Sequence, residues 1–212
     1  MVLGSHRSGT SMIAGMLHLL GVNMGDGHLM PPTPANPKGH YEDMRFYRLN
    51  ETVVTDWKNP TLWDDEDIRE AYWDLADEIG MKCSVWGIKD PRMCITGGMM
   101  VEEFTGGGTE VRMIIVDRDI KAMTASMNKR DGLSLVDSAR IHETYLAARD
   151  KLIKESEGKG IKTIRMVYED VLDNPTGCAA NLASFCFGDE MPSSGVVSAA
   201  AKFVDVGLNR NG

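Results

Sequence analysis

The stretch Gly4-Ser-His-Arg-Ser-Gly-Thr-Ser11 is the part of this sequence best equipped to handle an anion. Its glycine spacing matches GxxxxGK[ST], a loop whose backbone N–H groups cradle phosphates at the N-terminus of the next helix. The lysine of that pattern is absent: Thr10 stands in its place, and a cation, Arg7, lies three residues earlier. In nucleotide kinases that lysine reaches the β- and γ-phosphates, so its loss argues against phosphoryl transfer from a nucleoside triphosphate. What remains is an anion-binding loop, with His6, Arg7, Ser8, Gly9, Thr10 and Ser11 as candidate binding residues and the Thr10 and Ser11 hydroxyls as direct donors.

A second cluster is Arg118-Asp-Ile-Lys-Ala-Met-Thr-Ala-Ser126, which follows an apolar run and opens a helix. Arg118 offers a planar fork of donors suited to a phosphate. Ser126 lies about two helical turns further on, roughly on the same face. Lys89 ends a short apolar run in Trp86-Gly-Ile-Lys-Asp-Pro-Arg92, where it would supply another cation. Asn36-Pro-Lys-Gly-His-Tyr-Glu42 brings a carboxylate and an imidazole, and Tyr168-Glu-Asp170 follows the last apolar run.

These stretches resemble the sulfotransferases that use 3′-phosphoadenosine 5′-phosphosulfate (PAPS), the bacterial-type members above all. Those enzymes carry a P-loop-like turn with a Lys/Arg-Ser-Gly-Thr core and no Walker lysine. They also place an Arg at a strand end with a Ser eight residues on, both binding the donor's 3′-phosphate; Arg118 and Ser126 have that spacing. The resemblance runs from Met1 to about Arg210. It implies that Tyr168 lies near the adenine and that Arg210, in a tail similar to the family's C-terminal segment, reaches the cofactor. In the cytosolic relatives the strand end occupied here by Lys89-Asp-Pro carries Lys-Thr-His with the catalytic His; this chain has Pro91 at that position, so the base must come from elsewhere. Bacterial-type and tyrosyl-protein enzymes carry a Glu after the first helix, the base in the latter, so the resemblance points to Glu42, with Asp90 and His40 as rivals; Arg7 in the loop and Lys89 at an expected strand end facing it are the candidate catalytic cations. The expected reaction moves a sulfuryl group to an acceptor hydroxyl on a carbohydrate, lipid or small metabolite and leaves 3′-phosphoadenosine 5′-phosphate (PAP), with no metal. A P-loop kinase of a small molecule and a non-catalytic nucleotide-binding relative are the alternatives.

The elements that must position these residues follow from periodicity. Met1 to Leu3 reads as a strand end. Thr10 to Leu20 reads as a helix, with Gly21 as its C-cap. Residues 24–41 are loop-like, with Pro31, Pro32, Pro34 and Pro37 close together. Helices are expected at about 43–56, 65–79, 119–127, 135–153, 175–187 and 196–204. Strands are expected at Val85 to Ile88, Val111 to Val116 and Ile161 to Val167. Strands alternating with helices predict a single α/β domain over 1–212 with an open parallel sheet, and the resemblance implies a three-layer P-loop NTPase-like fold with a central parallel sheet of about four to five strands flanked by helices.

Composition sets the outer limits. The 212 residues carry 31 acidic and 23 basic side chains, a formal net charge of −8. Eight of the acids and one Arg fall between Asp64 and Glu78, so one helical segment carries most of the excess. An acidic balance excludes broad binding to nucleic acid or anionic membrane, yet leaves room for a polyanionic cofactor held by a few cations at strand ends. The four cysteines form no CxxC pair and no zinc spacing, which suits reduced thiols and a cytoplasmic setting. No apolar run is long enough to span a membrane, and the glycine loop follows so soon after Met1 that no leader peptide is expected.

Overall fold

The longest apolar run becomes the central strand. In the computed structural model, which describes residues 1–25, 27–205 and 207, β2 (Arg112–Asp117) lies between β1 (Val2–Leu3) and β3 (Lys162–Val167), all parallel. Both faces of β2 are covered, and Met113, Ile114, Ile115 and Val116 are buried; a strand in that position tolerates no alternation of polar residues. β3 is the sheet edge and carries Lys162 and Arg165 exposed, the charges that discourage edge-to-edge pairing.

The remaining elements are α1 (Thr10–Leu20), α2 (Met44–Val53), α3 (Glu66–Gly80), α4 (Met93–Gly106), α5 (Ile120–Asp131), α6 (Leu135–Gly158), α7 (Tyr168–Asp173), α8 (Pro175–Phe187) and α9 (Ser194–Lys202). Strand alternation divides the core in two. Val2, Ile114 and Val116 face Ile13 and Leu17 of α1, Leu182 of α8 and Ala200 of α9. Leu3 and Met113 face Tyr72 of α3, Met100 and Phe104 of α4, and Leu152 of α6. The chain is therefore α/β, a small open parallel sheet with helices on both faces.

Two features depart most from the sequence expectation, beside the short helix α7, which it did not include. Among the described residues three strands pair as a ladder rather than four to five. Beyond β1 the parallel alignment continues only as isolated bridges, Val2 with Lys89 and Asn23 with Trp86, with Val2 N donating to Ile88 O at 2.9 Å. β1 is two residues long: it makes two rungs with β2 and meets residues 85–89 at the bridge of Val2 with Lys89. Gly87, in the middle of the expected strand, is pressed against residues 22–24: a Cβ there would lie 2.7 Å from Met24 Sδ. The second departure is α4, which periodicity did not reveal. Gly97 and Gly98 depress its intrinsic helix propensity, but a Cβ at Gly97 would come 2.6 Å from Leu152 Cδ2. The glycine admits close packing of α4 on α6, and tertiary burial outweighs propensity.

Candidate functional site

The loop between β1 and α1 is fixed from beneath. Ser8 N donates to Ser5 O at 3.2 Å, and Ser5 Oγ meets Nδ1 of His142, a buried residue of α6, at 2.8 Å. Arg7 and Gly9 take positive φ values of 63° and 96°, a conformation that glycine enters without strain and arginine does not. Gly9, the N-cap of α1, makes no side-chain capping hydrogen bond, so the positive end of the helix dipole opens on the loop.

Three strand ends meet there. From the loop, Arg7 Nε donates to Ser126 Oγ of α5 at 2.9 Å. From the end of β2, Arg118 Nη1 donates to Arg7 O at 2.8 Å, and its guanidinium lies 4.0 Å from the Tyr168 ring centroid. Tyr168, at the end of β3, presses its ring edge on the loop: a Cβ at Gly9 would fall 2.4 Å from Tyr168 Cδ2. Arg7, Gly9, Thr10, Ser11, Arg118, Ser126 and Tyr168 line one cleft, closed on the far side by residues 35–39 with Phe203 and Asp205.

Lys89 forms a second group at the buried side of the loop. Its Nζ donates to Ser11 Oγ at 3.1 Å and to His40 O at 3.2 Å, and it pairs with Glu42. The lysine and the glutamate are 4% and 6% exposed, so each supplies the charge that the other needs to be buried. Asp90, the next residue, is turned to a different partner. Its Oδ1 accepts from Arg92 N at 2.8 Å and Arg92 Nε at 3.0 Å, and burial, reinforced by Glu42, pushes its carboxyl above the ordinary range.

The structure thus joins Arg7, Gly9, Thr10, Ser11, Arg118, Ser126 and Tyr168 in one cleft, and Lys89 with Glu42 and the His40 carbonyl beside it. It sets two loop residues apart. His6 turns away from the cleft, its ring 5.0 Å from those of Trp57 and Tyr145. Ser8 Oγ is buried beneath Gly4, whose Cβ would come 2.5 Å from it. Arg210 lies outside the described residues. Sequence reading missed the support of Ser5 by His142, 137 positions away, and the enclosure of His6 by Trp57 and Tyr145; no local pattern announces either. Among the described residues no group of three or more His, Cys, Asp or Glu is placed to hold a metal ion, and no helix is long and apolar enough to cross a membrane.

Three imidazoles, His142 buried and His6 and His40 half-buried, set a pH dependence. Burial lowers His6 well below 6.5, and takes His40 and His142 down to about 4. In the unfolded chain all three titrate near 6.5, so below that pH the unfolded state binds more protons and stability falls. Their contribution is complete above about pH 6.5 and is lost as the pH drops toward about 4. Asp90, raised by burial, works in the opposite direction, one carboxyl against three imidazoles. The melting temperature should therefore fall steadily between about pH 7 and about pH 5, and His142→Asn should flatten that slope. A melting temperature constant across this range, measured by circular dichroism, would contradict the assignment of neutral imidazoles at these positions.

Comparison with protein-family models, curated proteins and solved structures finds no match for this chain.

Proposed function

We propose that this chain is a sulfotransferase, moving the sulfuryl group of PAPS to an acceptor hydroxyl and releasing PAP. The observation that carries the reading is the convergence of Arg7, Arg118 and Ser126 with the hydroxyls of Thr10 and Ser11 in one cleft at the open N-terminus of α1. Two guanidinium groups, three hydroxyls and a helix dipole fit a ligand with phosphate groups at two places. Thr10 where a kinase has its lysine favours this over phosphoryl transfer. The five segments aligned in parallel, in the order 22–24, 85–89, β1, β2 and β3, support a three-layer P-loop-like fold.

Bound PAPS supplies the transferable sulfuryl group, and the protein supplies charge and orientation. Arg7 and the Thr10 and Ser11 hydroxyls face charge that builds on the leaving phosphate. Arg118, Ser126 and the edge of Tyr168 hold the nucleotide end. Lys89 holds the Ser11 hydroxyl in place and pairs with the Glu42 carboxylate. Glu42 takes the proton of the acceptor hydroxyl; it is preferred to Asp90, whose carboxylate is held by Arg92, and to His40, whose Nε2 is engaged with Thr33 Oγ1 at 3.0 Å. The acceptor is a hydroxyl-bearing carbohydrate, lipid or small metabolite.

Calorimetry tests the reading directly. PAP should bind in the absence of Mg²⁺, and more tightly than ATP. Screening radiolabelled PAPS against glycans, lipids and small hydroxyl compounds should then identify the acceptor. With that acceptor, Glu42→Gln should lower turnover at least about 100-fold while PAP affinity stays near wild type, as expected for loss of a general base. Binding of Mg-ATP in preference to PAP would give the site to a kinase, and PAP binding with no turnover on any acceptor would make it a binding module.

A further inference from the structure

Across the cleft from Arg7 and Arg118, Lys38 ties two chain segments together. Its Nζ donates to Phe203 O at 2.6 Å, lies 3.4 Å from Asp205 Oδ2 and stands 5.0 Å from the Phe203 ring centroid. Phe203 is itself anchored, edge-on to Tyr41 with centroids 5.8 Å apart and packed on Gly15, where a Cβ would lie 2.3 Å from its Cε1. Lys38, Phe203 and Asp205 all line the cleft. A lysine in such a place does two things at once. It closes residues 35–39 onto the segment following α9, and it brings a third positive charge to a cleft that already has two.

Asp205 needs an explanation in the same terms. It is the acidic side chain among the described residues lining this cleft, and a carboxylate there opposes any anionic ligand. Its partner is Lys38, and the pair is only partly exposed, at 32% and 46% of the side chains. An ammonium held at 3.4 Å by a competing carboxylate can turn to a stronger anion without leaving its place.

We propose that Lys38 is a ligand-binding cation of this cleft, held by Phe203 O and Asp205 until a phosphate-bearing ligand takes it, and that Asp205 is the acid that competes with the ligand for it. The choice of PAP as the ligand rests on the sulfotransferase reading; the charge assignment does not. A lysine that serves only as a structural clasp makes a different prediction: removing either partner would open the clasp and weaken binding. The proposal requires opposite signs. Lys38→Met should weaken the ligand, and Asp205→Asn should tighten it.

The experiment is titration calorimetry of the whole chain and these variants with PAP, with ADP and inorganic pyrophosphate as further probes, and a melting curve on each to establish folding. Lys38→Met should weaken PAP at least about tenfold, the ordinary effect of a lost charge-assisted hydrogen bond. Lys38→Arg should restore affinity to within about threefold, because the positive charge is retained. Asp205→Asn should tighten PAP about threefold, a small gain because the pair is partly solvated. If Lys38→Met leaves PAP affinity unchanged, or if both variants weaken it, Lys38 is not a ligand-binding cation. If the wild type ignores PAP but binds ADP or pyrophosphate, the sulfotransferase reading falls, and the signs of the same two variants on that probe decide the role of Lys38. If it binds none of the three, both proposals fall.

Discussion

Replacing Lys89 with methionine is expected to abolish turnover and to lower stability by about 3–5 kcal/mol, the range seen when one partner of a buried ion pair is removed. The reason lies in what the ammonium touches. Ser11 Oγ, the His40 carbonyl and the Glu42 carboxylate all converge on it, and with the lysine gone Glu42 is left as a buried charge without its counter-ion. For a chain of this length that loss corresponds to a fall in melting temperature of roughly 10 °C. The double variant Lys89→Met with Glu42→Gln separates structure from function. It removes both charges, so it should recover most of the stability, and it should remain inactive. Thermal unfolding followed by circular dichroism gives the first quantity and PAP release with the identified acceptor gives the second. A Lys89→Met protein that melts with the wild type would show that Glu42 does not depend on this ammonium.

The second large effect is expected at Arg118. Its guanidinium donates to the Arg7 carbonyl and covers one face of Tyr168, so it fixes the loop and the nucleotide end together. Arg118→Leu removes the fork of donors for a phosphate, and PAP affinity should fall at least about 100-fold, about 2.7 kcal/mol, as for one strong charged contact. Ser126→Ala should lose about tenfold, since one neutral hydroxyl is removed and the Arg7 contact with it. Turnover at saturating donor should change far less than affinity in both variants. Equal PAP affinity in Arg118→Leu and wild type would move the phosphate away from this corner of the cleft.

Much of the candidate site can be read from the sequence because its parts are local. The loop spacing of Gly4 and Gly9, the helix that follows, and the eight-residue interval from Arg118 to Ser126 are short-range patterns with short-range causes. The helix at 175–187 is also legible, since Pro175 sits at its first turn and Asn174 caps it. The two loop residues that the structure sets apart, His6 and Ser8, show where such reading ends. Spacing says which residues share a loop; it does not say which way each side chain turns. His6 is decided by Trp57 and Tyr145, and Ser8 by Gly4, and those contacts arise from packing.

The same division runs through the whole chain. The α/β class, the central apolar strand, the glycine loop and the cation that follows that strand are each written in the periodicity or spacing of a few neighbouring residues. Tertiary structure alone decided three further matters. It made α4 a helix across two glycines, because close packing on Leu152 is worth more than propensity. It limited the ladder among the described residues to three strands, with residues 22–24 and 85–89 joined by isolated bridges. It also brought Lys89 to Glu42 and Lys38 to Phe203, contacts 47 and 165 positions apart. Pairs so distant carry no local signature; they exist only once burial has placed their backbones side by side.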